Sequence, residues 1–182
     1  MYEPQEDSIM LSEALKEHLQ KKRAKTCLDM GTGTGVQGLA MSNFCDKVIC
    51  TDINKEAVTY VYNLFKKDSK YKVIESDLFK NLESFQKKFD VIAFNPPYLP
   101  KENFEDEDLE LTSGTEGMDT TIRFVMESKK YLNKNGRLFF VVSSLSNTQL
   151  LHKVLKEQKY KHKIVKQKHF FFEDVLVYEA WL

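Results

Sequence analysis

The fold is predicted from residues 26–41, which read TCLDMGTGTGVQGLAM. Residues 26–30 are mostly apolar and predict a short buried strand, and residues 36–41 have the composition of a helix. Between them, residues 31–35 alternate glycine with threonine, and glycine allows positive φ angles and the close approach of a ligand to the main chain. A strand, a glycine turn and a helix indicate a βα unit of an open α/β sheet, whose ligands bind outside the carboxyl ends of the strands.

Asp29 stands just before the glycine turn and distinguishes two classes of ligand. A dinucleotide presents its pyrophosphate to such a turn, and a carboxylate there would repel that anion. S-adenosylmethionine carries no phosphate but has an ammonium and a sulfonium group, which a carboxylate attracts. Residues 29–35 therefore favour S-adenosylmethionine, although a glycine turn alone also fits an ordinary β–α connection.

Two further predicted strands end at acidic residues. Residues 47–51 run into Asp52, about twenty residues after the glycine turn, a spacing that suits a carboxylate holding ribose hydroxyls. Residues 71–75 lead to Asp77, which is placed to meet an adenine amino group. Each acid alone is also explained as a helix cap or a turn former. Three acids at the ends of three successive strands favour a ligand site.

The strand predicted for residues 89–94 runs into Asn95-Pro96-Pro97-Tyr98. A planar amide or an aromatic amine is a poor nucleophile because its lone pair is delocalised. The Asn95 side-chain oxygen and the main-chain carbonyl before a proline can each accept one N–H of such a group, and Tyr98 could stack on it. The prolines would stiffen this loop. The same four residues also fit a turn ended by prolines.

Taken together, these motifs resemble the class I S-adenosylmethionine-dependent methyltransferases of the HemK glutamine-methyltransferase family. The similarity is greatest to the short eukaryotic and archaeal members that modify class I translation termination factors. The matching stretches are YEPQEDS at 2–8, DMGTGTG at 29–35, TDIN at 51–54, SDLF at 76–79 and NPPY at 95–98.

The resemblance implies N5-methylation of the glutamine in a Gly-Gly-Gln motif, with S-adenosylmethionine as the cofactor. It implies a catalytic loop in which Asn95 orients the amide, Pro96 and Pro97 hold the backbone, and Tyr98 packs on the amide. It also implies a set of cofactor-binding residues: Tyr2, Glu6, Asp7, Ser8, Asp29, Gly31, Thr32, Gly33, Gly35, Asp52, Ile53, Asp77, Leu78 and Asn95.

The resemblance further implies a small zinc-binding activator protein, which adds a strand to the sheet. In the expected topology, residues 71–75 form the free edge and are the expected docking site. The zinc is expected in the partner, because this sequence shows no convincing ligand cluster. Many relatives carry a tryptophan and paired glycines where this chain has LTSGTEG at 111–117, and bacterial members have an additional N-terminal helical domain.

The expected fold is a single α/β, Rossmann-like class I methyltransferase domain over residues 1–182. It comprises an N-terminal segment and helix over 1–22 and a core over 23–182. The pattern predicts seven mostly parallel strands with helices on both faces, and the family fold implies the order 3-2-1-4-5-7-6. Helices are predicted over 6–21, 54–67, 118–132 and 148–158, and strands over 136–142, 160–168 and 175–182. Ile9, Leu11, Leu15, His18 and Leu19 form an approximate helical stripe, in which His18 is interpreted as a surface or packing residue. In the second helix, the residues expected to face the sheet are Ala57, Val58, Val61, Leu64 and Phe65.

Composition narrows the range of possible functions and cellular settings. Lys plus Arg and Asp plus Glu both number 27, so there is no overall basic field for nonspecific nucleic-acid binding. The three cysteines form no Cys-x-x-Cys pair, which favours a reduced, cytoplasmic setting. No apolar signal core or membrane-length stretch is evident, so membrane insertion is not expected.

Three alternatives stay open. The loop at residues 95–98 would also suit N6-methylation of adenine in DNA or RNA, and lysine methylation could be an additional activity. A non-catalytic, S-adenosylmethionine-binding scaffold is the third. The acidic run at 101–110 fits a lid or a solvated loop, and the lysine-rich segment at 153–168 fits RNA contact or protection of a sheet edge.

Overall fold

The structure is a computed structural model that describes residues 5–86, 88–96, 116–170 and 172–182, without the side chains of residues 116 and 117. Predictions that concern Tyr2, Pro97, Tyr98, the acidic run at 101–110 and the sequence LTSG at 111–114 lie outside the described residues.

Helices and strands alternate along the chain. The helices are α1 (Glu6–Lys21), α2 (Val36–Ser42), α3 (Lys55–Phe65), α4 (Glu116–Ser128) and α5 (Thr148–Glu157), with a 3-10 turn at Glu83–Phe85. The strands are β1 (Ala24–Met30), β2 (Cys45–Asp52), β3 (Tyr71–Glu75), β4 (Phe89–Phe94), β5 (Leu132–Ser143), β6 (Lys161–Phe170) and β7 (Glu173–Trp181).

The seven strands form one sheet in the order β3-β2-β1-β4-β5-β7-β6, which confirms the expected topology. Strands β1 to β5 are parallel to one another, and β7 is antiparallel to both β5 and β6. The carboxyl ends of β1 to β5 therefore meet at one edge of the sheet.

Both faces of the sheet are covered by helices, as expected. Successive residues of a strand point to opposite faces, so Cys27 belongs to one apolar cluster and Leu28 to the other. The first cluster includes side chains of α1, α2 and α3, and the second includes side chains of α4 and α5. Because both faces are buried, the central strands are apolar along most of their length.

Two residues expected in the apolar stripes are exposed instead. Ile9 is 50% exposed and Leu64 is 53% exposed. Helix α3 lies at the sheet edge beside the short strand β3, and its fully buried line is Ala57, Val61 and Phe65, which are spaced four apart. Leu64 falls beside this line, so the prediction that it faces the sheet was wrong. Ile9 belongs to the stripe of α1 but lies at its exposed border.

Helix α1 is tied to the far edge of the sheet by ion pairs. Lys166 of β6 contacts Glu17 at 2.6 Å, and Lys168 contacts Glu6 at 2.6 Å. Two members of the lysine-rich segment are thus paired with acids of this chain. Within the described residues, no helix is both long and apolar enough to cross a membrane.

Candidate functional site

A cavity of about 630 Å³ opens at the carboxyl edge of the sheet. That volume lies within the range of roughly 300–1,000 Å³ that is typical of small-molecule sites. Six segments that are distant in sequence supply its walls. Eleven predicted site residues line it: Asp7, Ser8, Gly31, Thr32, Gly33, Asp52, Ile53, Asp77, Leu78, Asn95 and Pro96.

Three other predicted residues lie outside the cavity lining. Glu6 is exposed and pairs with Lys168. Asp29 lies buried behind the glycine turn, and a Cβ atom on Gly35 would lie 3.1 Å from the Phe65 ring beneath that turn. Any cofactor contact of these three residues stays a prediction.

The glycine turn has a left-handed backbone that exposes its main chain to the cavity. Gly33 has a φ of 51°, and nothing lies within 4 Å of the place where its Cβ atom would be. Gly31 has a φ of 61°, and its Cβ atom would lie 3.1 Å from the Phe94 ring. A side chain at Gly33 would therefore project into space that a ligand can use, in a conformation that L residues rarely adopt.

Asp29 supports this turn from inside the protein. Its Oδ2 accepts hydrogen bonds from Thr32 Oγ1 at 2.7 Å and from the Gly38 amide at 2.8 Å. Burial raises the pKa of Asp29 to about 7, although the two hydrogen bonds oppose this shift. The contacts fix the turn to the first residues of α2.

Asp52 stands at the end of β2 with both oxygens turned toward the glycine turn and the next helix. Its Oδ2 accepts from the Gly33 amide at 2.9 Å, and its Oδ1 accepts from the Asn54 amide at 2.9 Å. A carboxylate oxygen has more than one acceptor site, so Asp52 can still accept hydrogen bonds from two ligand hydroxyls. Its geometry suits a diol.

Asp77 is held by Arg123 of α4, a residue that no sequence motif indicated. Arg123 Nη2 donates to both oxygens of Asp77, at 3.2 and 3.1 Å, and Arg123 itself lines the cavity. The neighbouring Leu78 has a φ of 45°, and Ser76 Oγ donates to its carbonyl at 2.7 Å. A leucine with positive φ is uncommon, and such strained residues concentrate at ligand-binding sites.

Asn95 is held in the cavity by two side chains of α1. Its Nδ2 donates to Asp7 Oδ2 at 3.2 Å and to Ser8 Oγ at 3.1 Å. Because an ionised carboxylate can only accept, Asp7 fixes which end of the Asn95 amide carries the N–H groups. The Asn95 Oδ1 atom is buried and has no hydrogen-bond partner within the described part of the chain.

Helix α1 owes its position at the site to a second set of polar contacts. Gln37 Nε2 donates to the Ser8 carbonyl at 2.9 Å, and Ser12 Oγ donates to Gln37 Oε1 at 2.8 Å. Gln37 thereby links α1 to α2 and also lines the cavity. No sequence motif indicated Gln37, because a glutamine on a short helix has no distinctive pattern until its partner is known.

Comparison with known proteins supplies the family. The model of the methyltransferase small domain matches residues 10–172. A putative protein N5-glutamine methyltransferase of Methanocaldococcus jannaschii is 36% identical over 191 residues, covering 100% of this chain and 91% of that protein. A release factor glutamine methyltransferase of Clostridium acetobutylicum is 28% identical over 156 residues, covering 78% of this chain and 54% of its own length. The chain thus spans about half of that bacterial relative.

Among solved structures, the E. cuniculi Mtq2–Trm112 complex is similar over the whole chain. The TM-score is 0.74 with 27% identity, covering 99% of this chain and 97% of the compared chain. That complex is described as responsible for the methylation of the eRF1 translation termination factor. These similarities confirm the resemblance to glutamine methyltransferases. The chain belongs to the methyltransferase small domain family and is a methyltransferase with a seven-stranded, Rossmann-like fold.

Proposed function

We propose that this protein transfers a methyl group from S-adenosylmethionine to the side-chain nitrogen of a glutamine, in the Gly-Gly-Gln motif of a class I release factor. One observation carries the proposal. Asn95 Oδ1 is buried and unpaired within the described residues, while Asp7 and Ser8 hold the other end of the same amide. An unpaired buried acceptor costs about 1–3 kcal/mol, so an incoming N–H group is expected to meet it.

The residues of the cavity fit S-adenosylmethionine. The carboxyl groups of Asp7, Asp52 and Asp77 line it, which suits a cationic ligand without phosphate. Asp52 would hold the ribose hydroxyls, Asp77 would accept from the adenine amine, and the open main chain at Gly33 would admit the ligand closely. When bound, S-adenosylmethionine supplies an electrophilic methyl group on a sulfonium.

The acceptor amide would be held by the end of β4. Asn95 Oδ1 would accept one N–H of the glutamine and the Pro96 carbonyl would accept the other, which keeps the nitrogen in line with the methyl group. These oxygens also stabilise the positive charge that develops on the nitrogen during transfer. An alkylated amide nitrogen is acidic, so the proton leaves to water without a strong base. Pro97 and Tyr98 would stiffen and cover this arrangement.

The proposed activator protein would dock on strand β3. Ser76 N donates to the Asp52 carbonyl, and Val48 N donates to the Lys70 carbonyl, both across the β2–β3 pair. Since backbone groups alternate direction along a strand, the N–H and C=O groups of Tyr71, Val73 and Glu75 point away from β2. The Tyr71 amide already donates to the Asp68 carbonyl and the Glu75 carbonyl accepts from Asn81 Nδ2. Within the described residues, the Tyr71 carbonyl, both groups of Val73 and the Glu75 N–H are left for pairing. An added strand could pair with them.

Apolar residues beside this edge support the same docking site. Tyr62 and Leu64 of α3 are exposed, and α3 packs against β3. The similar E. cuniculi protein was solved as a complex with Trm112, a second protein. We place the zinc in the partner. Within the described residues of this chain, no group of three or more His, Cys, Asp or Glu could hold a metal ion.

The test is methyl transfer from labelled S-adenosylmethionine to a class I release factor, with and without the activator. The acceptors are the intact factor, its Gly-Gly-Gln→Gly-Gly-Ala version and an adenine-containing duplex. Label that requires the glutamine supports the proposal, and we expect this reaction in the cytoplasm, where release factors act. Label on the duplex alone would establish adenine methylation instead, and equal label on both factors would point to another residue such as lysine.

A further inference from the structure

Two exposed apolar side chains stand at the carboxyl edge of the sheet, outside the cavity. Leu145, in the loop after β5, is 70% exposed, and Phe172, at the tip of the β6–β7 hairpin, is 91% exposed. We call these two residues the rim patch. Single exposed apolar residues are ordinary. Two of them on the edge that also carries Asn95 indicate an interaction site.

Strand register places the rim patch near Asn95. Phe94 pairs with Phe140, so Asn95 is level with Val141, two residues before the end of β5. Ser143 pairs with Val175, which brings the start of β7 and the hairpin tip to the same edge. With a rise of about 3.3 Å per residue and about 4.8 Å between strands, Leu145 lies roughly 14 Å from Asn95 and Phe172 lies roughly 20 Å from it.

The two segments that carry the rim patch are fastened to each other. Ser144 N donates to the Asp174 carbonyl at 2.8 Å, and Asp174 N donates to Ser144 Oγ at 2.8 Å. Ser143 Oγ also hydrogen bonds to Glu173. The loop and the hairpin tip therefore present Leu145 and Phe172 from one continuous surface, which reduces the entropy lost when a partner binds.

The positions of the cofactor residues and of Asn95 along the sheet edge indicate which partner the rim patch fits. The acidic residues that suit the cofactor stand at the ends of β2 and β3, and Asn95 follows β4. The end of β5 and the start of β7 thus form the part of the edge that lies beyond Asn95, on the side away from those acids. When the methyl-accepting side chain of a folded protein reaches Asn95, the protein surface around that side chain must lie over this part of the edge.

We propose that the rim patch is a docking surface for the protein that carries the methyl acceptor, an inference that rests on the proposed function. A standard interface covers about 800 Å² on each partner, a disc roughly 32 Å across, so a single interface can include Asn95, Leu145 and Phe172. Aromatic side chains are common anchors in such interfaces, and Phe172 offers nearly its whole ring. The acceptor protein should present a complementary apolar surface beside its glutamine loop.

The experiment compares Leu145→Ser, Phe172→Ser and the double variant with the wild type, each with the activator present. Steady-state methylation of the release factor gives kcat and both KM values, and thermal unfolding checks the fold. Met126→Gln is the matched control, because Met126 is also exposed but lies beyond Arg123 on α4, away from the rim patch. The double variant should raise the KM for the release factor about tenfold, as loss of apolar anchors does, with the KM for S-adenosylmethionine unchanged.

A KM for the release factor equal to that of the wild type and of Met126→Gln would overturn the docking proposal while leaving the proposed function intact. A wild-type enzyme that does not methylate the factor would overturn both proposals. Light scattering of the wild type and the double variant tests self-association. A dimer that the double variant abolishes would assign the rim patch to a second copy of this chain, and so would also overturn the proposal.

Discussion

At the scale of single residues, the site depends on the direction in which one amide points. Asp7 and Ser8 hold the N–H end of Asn95, so its oxygen is left as an acceptor. Asp52 instead contacts the glycine turn and the start of α3, away from Asn95. The two residues are therefore expected to act on different substrates of the same reaction, Asn95 on the acceptor and Asp52 on the cofactor.

Asn95→Ala should lower kcat by about 10²–10³, because its oxygen stabilises charge that develops only during transfer. Its dissociation constant for S-adenosylmethionine should stay close to that of the wild type. Asp52→Ala is the comparison, and it should mainly lower the affinity for S-adenosylmethionine. Calorimetric titration and single-turnover rates separate the two effects. If Asn95→Ala lost only cofactor affinity, the acceptor-orienting role would be wrong.

Asp29 should make stability depend on pH. Its pKa rises from 3.8 to about 7 on folding, chiefly by burial. Between about pH 4 and pH 7, the carboxyl group is therefore protonated in the folded state but ionised in the unfolded state. Its contribution to the free energy of unfolding is fully present below about pH 4. As the pH rises toward 7, that contribution falls by about 1.4 kcal/mol per pH unit.

Asp29→Asn removes this titration and keeps an oxygen that can accept from Thr32 and Gly38. The stability of the variant relative to the wild type, from urea unfolding, should increase between pH 4 and 7 and then level off. Other titrating groups are common to both proteins and cancel in the difference. A difference that does not change with pH would show that the carboxyl is not held neutral by burial.

At the scale of elements, short apolar strands were the most predictable parts. The expected strands at 71–75 and 89–94 coincide with β3 and β4, since each is a compact run rich in apolar residues that ends in a turn. The start of β5 was not predicted: the strand begins at Leu132, although the pattern suggested residue 136. Leu132 pairs with Phe89, and the register shifts before Val91 pairs with Arg137. Arg123 could not be predicted either, because its contact with Asp77 spans 46 residues and has no local pattern.

Strand β3 gives a sharp test of partner docking. Val73→Pro removes an N–H group that points away from β2, so it should abolish the complex with the activator while leaving the β2–β3 pairing. Val73→Ala is the matched control, because it removes a similar part of the side chain and keeps the N–H. Co-purification and titration of the two variants give the comparison. Equal binding by both would argue against strand addition at β3.

At the scale of the whole molecule, α1 serves the core and the site together. Leu11, Leu15 and Leu19 are fully buried against one face of the sheet, and Asp7 and Ser8 at the start of the same helix reach Asn95. The sequence predicted the helix and the burial of these leucines. The contact of its first turn with Asn95 spans 88 residues and became visible only in the folded chain.

Leu15→Ala should therefore reduce the free energy of unfolding by about 2–5 kcal/mol, the usual cost of a cavity in a packed core. Ile9→Ala provides the contrast, because Ile9 is half exposed and its truncation should cost little. Urea unfolding of both variants measures the difference. Equal losses would mean that the packing of α1 differs from that described.

The most direct test of the central claim is to locate the methyl group. The chain and its activator are incubated with a class I release factor and S-adenosylmethionine, and the factor is then mapped by tandem mass spectrometry. We expect one methyl group on the side-chain nitrogen of the Gly-Gly-Gln glutamine, and none when Asn95→Ala replaces the wild type at the same reaction time. A methyl group on lysine or on another residue, with that glutamine unmodified, would contradict it.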